Sequence, residues 1–197
     1  MLYWSLLISG YLIGSVSSAI LVSILMRLPD PRKSGSNNPG TTNVLRLGSK
    51  IGALITLMGD ILKGLLPLLA VRTWISDDSL LLVGLGLGIF LGHLFPLYFK
   101  FSGGKGVATA LGLFLALTPT VAVVQIITWL AVALGFRYSS LAAIVTATMT
   151  PLYVWLVSSN RDFVALSVII GILLIFRHKR NIQRLINKTE AKIKLRG

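Results

Sequence analysis

Long apolar runs alternate with short polar breaks along the whole chain. Leu2–Met26 is apolar and Leu28–Lys50 is polar; Ile51–Trp74 is apolar apart from Asp60, Lys63 and Arg72. A break at Ser76–Asp77–Asp78–Ser79 leads into apolar Leu80–Leu97. Further apolar runs cover Val107–Phe136, Leu141–Val157 and Phe163–Phe176, separated by polar Lys100–Gly106, Arg137–Ser140 and Ser158–Asp162. A helix crosses a bilayer with ~20 apolar residues, so the pattern predicts a bundle of membrane helices. The first run has no basic residue before it and Arg27 just after it. A signal peptide shows the reverse flanks and a shorter core, so this run is expected to be a retained helix.

Charge fixes the expected topology. Lys and Arg collect on the cytoplasmic side of membrane proteins. The first polar stretch holds Arg27, Arg32, Lys33, Arg46 and Lys50, and the tail holds Arg177, Lys179, Arg180, Arg184, Lys188, Lys192, Lys194 and Arg196. Placing both in the cytoplasm requires an even number of spans between them. Val107–Phe136 is interrupted by Thr118–Pro119–Thr120, and proline breaks the helical ladder. Splitting the run there gives the even number. The expected architecture is an all-α polytopic membrane protein with seven transmembrane helices and a short broken helix pair around Pro119. Its N-terminus lies outside, its C-terminus in the cytoplasm, and residues 1–197 form one domain. The two polar stretches, the Arg137–Ser140 turn and the tail then share one membrane face.

Composition agrees with this picture and narrows it. The chain of 197 residues is 54% hydrophobic and 13% charged, against about 25% charge in soluble domains. A soluble domain is therefore excluded. Lys and Arg number 19 against 6 Asp and Glu, a net charge of +13. With no soluble basic domain and no aromatic-interleaved groove, the excess points to topology and anionic headgroups rather than nucleic acid. There is no Cys, which excludes thiol catalysis and thiolate metal sites. No His/Asp/Glu cluster has metal spacing and no His-x4-Asp pair occurs, so neither metal nor cofactor is expected.

Two loops carry phosphate-compatible chemistry. Ser102–Gly103–Gly104–Lys105–Gly106 precedes a helix expected to start near Val107. Consecutive glycines let backbone N–H groups converge, a helix N-terminus adds positive potential, and Lys105 adds a point charge. It is not a Walker A loop, because Gly106 follows the lysine. The plainer reading is a flexible connector. The second loop, Ser34 to Asn43, is dense in hydroxyls and amides, with Arg46 just beyond. It suits a polyanion, or it is an ordinary turn-rich loop capped at Thr42 or Asn43.

Other features divide between chemistry and architecture. His178 stands three residues before Asn181, on one face of a helix, and is either a base or a flank residue. His93, near the cytoplasmic end of its span, is structural or functional, with the structural role favoured. Asp60 and Lys63 are three apart within a span, where charge is costly unless paired; a packing pair is favoured over a reach to the site. Gly84, Gly88 and Gly92, and likewise Gly10, Gly14 and Ser18, form small-residue stripes for close helix contact.

Taken together, these segments resemble the bacterial acyl-phosphate-dependent glycerol-3-phosphate acyltransferases. Six motifs carry the resemblance in order: Gly14–Ser15 with Ala19; Asp30–Arg32 through Ser34–Arg46; Gly59–Asp60 with Lys63–Gly64; Gly92–Pro96 then Gly103–Thr109; Arg137–Leu141; and His178 with Asn181–Ile182. Asn38–Pro39 and Thr41 depart from the Gly/Ile-type and Ala residues common in that family. The resemblance implies acyl transfer from acyl phosphate to glycerol 3-phosphate at the cytoplasmic face of the bacterial inner membrane. By it, Gly103, Gly104, Lys105 and Gly106 cradle one phosphate. Ser36, Thr41, Thr42, Asn43 and Arg46 bind the other phosphate or the glycerol hydroxyls, and Ser140, His178 and Asn181 complete the pocket. The base is His178 or the substrate's own phosphate. Membrane lipid and the enzyme that makes acyl phosphate are the implied partners. A small anion or organophosphate transporter is the alternative, but its polar groups should continue to the midplane.

Overall fold

The computed structural model describes residues 1–193, whose regular elements are all helical, with no strand among them. The helices are α1 (Leu2–Gly14), α2 (Ser18–Leu25), α3 (Thr41–Arg46), α4 (Lys50–Trp74), α5 (Ser79–Leu94), α6 (Val107–Leu117), α7 (Pro119–Phe136), α8 (Ser139–Ser158), α9 (Arg161–Arg177) and α10 (Lys179–Ile186). Five stretches are long and apolar enough to cross a membrane: Leu2–Leu25, Lys50–Trp74, Ser79–Phe99, Pro119–Phe136 and Ser139–Ser158. The chain divides into two compact units, Met1–Leu117 and Thr118–Gly197. Lys194 and Arg196 of the basic tail lie outside the described residues.

In the first unit the glycine stripes set the packing. A Cβ on Gly10 would overlap the Leu85 carbonyl and one on Gly14 the Ile89 carbonyl, while Gly88 and Gly92 abut the carbonyls of Leu7 and Tyr11. Backbone therefore lies on backbone between α1 and α5, the contact that small residues permit in a membrane. Gly64 and Gly112 bring α4 and α6 together in the same way, against Thr109 and Ile61.

Two expectations are corrected here. The first apolar run is not one continuous helix, because Ser17 is extended between α1 and α2. Ser18 accordingly leaves the α1 stripe and lies against Gly59 of α4 instead. The break leaves the Val16 carbonyl without a helical donor, and Lys63 Nζ donates to it at 2.9 Å. The long Val107–Phe136 run does break, at Thr118, with Pro119 in the first turn of α7. Proline lacks an N–H that the first turn would leave unbonded anyway, so it suits a helix start. In the second unit α8 packs between α7 and α9, with Gln125 Nε2 donating to Thr150 Oγ1 at 2.9 Å inside the α7–α8 contact.

Candidate active site

The loop between α2 and α4 is built around Asn43. Its amide nitrogen donates to the carbonyls of Pro31 and Ser34, both at 2.9 Å, and its oxygen accepts from the Ser36 N–H at 2.8 Å. With 1% of its surface exposed, Asn43 is a staple of the loop rather than a group presented to a ligand, which changes the role expected for it. It is also not a cap: α3 starts at Thr41 from an extended Gly40. Gly35 has φ +65° and lies directly on the Asn43 oxygen, so only glycine fits that turn. Asp30 closes the start of the loop by accepting from Arg32 Nε at 3.0 Å and Nη2 at 2.8 Å. That side-chain hydrogen bonding holds the Asp30 carboxyl below its ordinary value. Ser36 and Thr41 remain half-buried, and Thr42 and Arg46 are exposed.

The glycine loop folds back over the end of α5. Gly103 lies on the carbonyls of His93 and Leu94; Gly104 lies on His93 Nε2 and 2.9 Å, measured from a built Cβ, from the Pro39 carbonyl. The Gly104 N–H donates to the His93 carbonyl at 3.2 Å. Gly106 has φ +88° against the Phe90 ring. A side chain at any of the three positions would force the loop off its seat. The structure thus joins the two polar loops of the first unit through Pro39 and Gly104, with half-buried Lys105 between Gly104 and the start of α6.

Beneath this junction lies a buried charge group. Lys63 Nζ stands 2.9 Å from Asp60 Oδ1, and His93 Nδ1 stands 3.7 Å from the same oxygen. Asp60 and Lys63 are therefore a packing pair, as favoured from the sequence. They also reach the site, because His93 bridges Asp60 to Gly104.

In the second unit, His178 separates α9 from α10 and is 2% exposed. Its Nδ1 lies 2.8 Å from the Leu174 carbonyl. A carbonyl cannot donate, so in the neutral ring Nδ1 carries the proton and Nε2 is the basic nitrogen. Asn181 begins the next turn, and its amide nitrogen donates to Glu190 Oε1 at 2.7 Å. Ser140 Oγ donates to the same oxygen at 2.8 Å, and Arg184 Nε lies 3.2 Å from Oε2. Arg137 holds the following segment through Ile193, donating from Nη2 to its carbonyl at 3.2 Å and accepting its N–H at 2.7 Å. The described part of the tail is thus folded against the rest of the unit. Among the described residues no three His, Cys, Asp or Glu side chains gather as a metal-holding group.

Comparison with known proteins gives this geometry its context. The family model described as glycerol-3-phosphate acyltransferase matches residues 4–188. The chain belongs to that family. The glycerol-3-phosphate acyltransferase of Methylococcus capsulatus is 47% identical over 190 residues, covering 96% of both chains. That of Halorhodospira halophila is 51% identical over 189 residues, covering 95% of each. A crystal structure of PlsY, an integral membrane glycerol 3-phosphate acyltransferase in its glycerol 3-phosphate form, superposes with a TM-score of 0.90 at 37% identity, covering 98% of this chain and 96% of that one. Its lysophosphatidic acid form gives 0.87 at 38% identity. This chain is accordingly a multi-pass membrane acyltransferase of the glycerol-3-phosphate acyltransferase family.

Glu190 gathers Ser140, Asn181 and Arg184, which the sequence did not suggest, and His93, favoured as structural, also meets Asp60. Glu190 stands among the bases of the tail, and that isolation is a signal in the sequence, since one carboxylate there has many donors to collect. His93 offered less, because its link to Asp60 runs between two helices distant in sequence.

Proposed function

We propose that the chain transfers a fatty acyl group from acyl phosphate to a hydroxyl of glycerol 3-phosphate, giving 1-acylglycerol 3-phosphate and inorganic phosphate. The observation that carries this reading is the junction of the two polar loops at Pro39 and Gly104 in a chain of glycerol-3-phosphate acyltransferases. Both substrates bear phosphate, and the loops carry hydroxyls and two cations, Lys105 and Arg46. An acyl phosphate is already activated, so catalysis requires alignment and charge stabilisation more than strong acids or bases. The glycerol oxygen bonds to the acyl carbon, the acyl carbon–oxygen bond to phosphate breaks, and the hydroxyl proton ends on the departing phosphate.

The roles proposed are those the family resemblance implies. Gly103, Gly104, Lys105 and Gly106 hold one phosphate; Ser36, Thr41, Thr42 and Arg46 hold the other phosphate or the glycerol. Ser140, Asn181 and His178 complete the set the resemblance implies, with His178 as base or orienter and Nε2 its basic nitrogen. A purified His178→Ala chain with near-full turnover removes that role and leaves the substrate's phosphate as the direct acceptor. The whole chain acts as one acyltransferase unit, with seven spans, N-terminus outside, C-terminus inside, and the loops facing the cytoplasm of the inner membrane. The enzyme that makes acyl phosphate is the partner that the resemblance implies. Because the chain has no Cys, single cysteines at Lys33 and Asp77 report topology directly. Impermeant maleimide applied from outside intact cells should label only the second.

The deciding assay measures phosphate release from acyl phosphate with and without glycerol 3-phosphate. Release that requires both, with equimolar acylglycerol phosphate, is expected. Release indifferent to glycerol 3-phosphate, or its transport across vesicles without acylation, overturns the reading.

A further inference from the structure

The Asp60–His93 contact joins two groups that helix packing alone does not require. Asp60 and His93 are 3% and 7% exposed, within spans where ionisable side chains are costly. Lys63 supplies the countercharge for Asp60 at 2.9 Å and is itself tied to the Val16 carbonyl at the α1–α2 break. The carboxylate therefore has a rigid seat. From it, Asp60 Oδ1 faces His93 Nδ1 at 3.7 Å, and the opposite edge of the imidazole, at Nε2, lies directly under Gly104. A carboxylate on one nitrogen of a histidine fixes the orientation of the ring and the character of the other nitrogen. The Nε2 edge of the ring thereby abuts the loop that carries Lys105, at the point where Pro39 of the other loop also makes contact.

We infer that Asp60 and His93 are positioning residues for the reaction, holding the Gly103–Gly106 loop in its anion-binding shape through the imidazole under Gly104. This rests on the proposed function only for the identity of the substrates. The hydrogen bond from the Gly104 N–H goes to the His93 backbone carbonyl, so it survives any side-chain substitution. Removing the imidazole therefore isolates the side-chain contribution.

The test uses the full chain in detergent, with His93→Ala, His93→Gln, Asp60→Asn and the Asp60→Asn/His93→Gln double variant. Binding of glycerol 3-phosphate and of a non-hydrolysable acyl phosphonate is measured by calorimetry, alongside kcat and both KM values. Loss of one buried partner corresponds to ~1–3 kcal/mol, or roughly 5- to 150-fold in affinity. His93→Ala should weaken one of the two phosphate ligands within that range, with kcat changed much less. Glutamine, which reaches the Nε2 position without altering charge, should recover most of the loss. The double variant should be no worse than the poorer single, because the two residues act in series. Unchanged affinity for both ligands in His93→Ala, additive losses in the double variant, or a lowered melting temperature with both KM values intact would each overturn the inference. Should His93→Ala not fold, the His93→Gln and Asp60→Asn variants carry the same comparison. If the unaltered chain binds glycerol 3-phosphate yet releases no phosphate from acyl phosphate, the proposed donor fails while the binding arm still judges the inference.

Discussion

Replacing Asn43 by alanine should disorder the first polar loop without touching the helices. The substitution removes three hydrogen bonds at once, to the Pro31 and Ser34 carbonyls and from the Ser36 N–H. They are not equivalent. Pro31 is buried, so its carbonyl is left without a donor, at a cost of ~1–3 kcal/mol. Ser34 and Ser36 are half-buried; water can take their bonds, which reduces each loss to roughly 0.5 kcal/mol, the low end for a net hydrogen bond. The total is about 2–4 kcal/mol of local stability, or a thirty- to thousandfold change in a local opening equilibrium. Hydrogen exchange at the Ser36 amide reads this directly, because that N–H is one of the bonded groups. Its protection should collapse in Asn43→Ala, and activity should fall with it, while far-ultraviolet circular dichroism stays constant. A direct ligand would behave otherwise: KM would rise with Ser36 protection intact. That result would restore Asn43 to the substrate-binding set and refute its role as a staple.

Three further outcomes test other parts of the structure. Gly88→Ala places a methyl on the Leu7 carbonyl and should destabilise the chain by about 1–3 kcal/mol; Gly135→Ala meets open space on α7 and should be neutral or stabilising by up to ~1 kcal/mol. Equal melting temperatures for the two in detergent would sink the backbone-contact account of α1 and α5. Lys105→Ala should lower kcat/KM by about a hundredfold or more, as for loss of one charge-stabilising donor, and unchanged kinetics with both substrates would remove the phosphate assignment of its loop. Asp30 has a lowered carboxyl pKa in the folded chain, so its stabilising contribution is present above the ordinary value near pH 3.8 and fades as pH falls through the lower folded value. Its pair with Arg32 is about a third exposed on both sides, which limits the effect to below ~1 kcal/mol; Asp30→Asn should melt slightly earlier at pH 6, with the difference vanishing in strong acid.

What could be read from the sequence is what depends on local pattern. The glycine stripes at Gly10, Gly14, Gly84, Gly88 and Gly92, the helix break before Pro119 and the glycine loop ahead of α6 are all short-range signals. The Ser34–Asn43 loop was also legible as a unit, but its interior was not. Nothing in the spacing says that Asn43 turns inward to three backbone groups while Ser36 and Thr42 do not. The break after Gly14 was hidden for a related reason. Ser15–Val16–Ser17 contains no proline or glycine, and its freed carbonyl is satisfied by Lys63, 47 residues away. Contacts between distant residues also account for Glu190, whose partners at Ser140 and Asn181 belong to different helices. Such three-body arrangements leave no periodicity to detect.

The scarcity of acids gives the positive excess its meaning. Each of the six carboxylates in the chain is engaged in the architecture. Asp30 clamps Arg32, Asp60 meets Lys63 and His93, and Asp77 pairs with Arg72. Asp78 caps α5, Asp162 supports the first turn of α9, and Glu190 gathers Ser140, Asn181 and Arg184. Carboxylates so engaged are poor general bases, since moving a proton onto one would dismantle the contact that holds it. A chain organised in this way favours chemistry in which the substrate arrives activated and leaves with its own proton acceptor. An acyl phosphate meets that requirement: the bond to be broken is already labile, and the departing phosphate can take the hydroxyl proton. In the proposed reaction the net positive charge gathers the anions, and the loops set their distance.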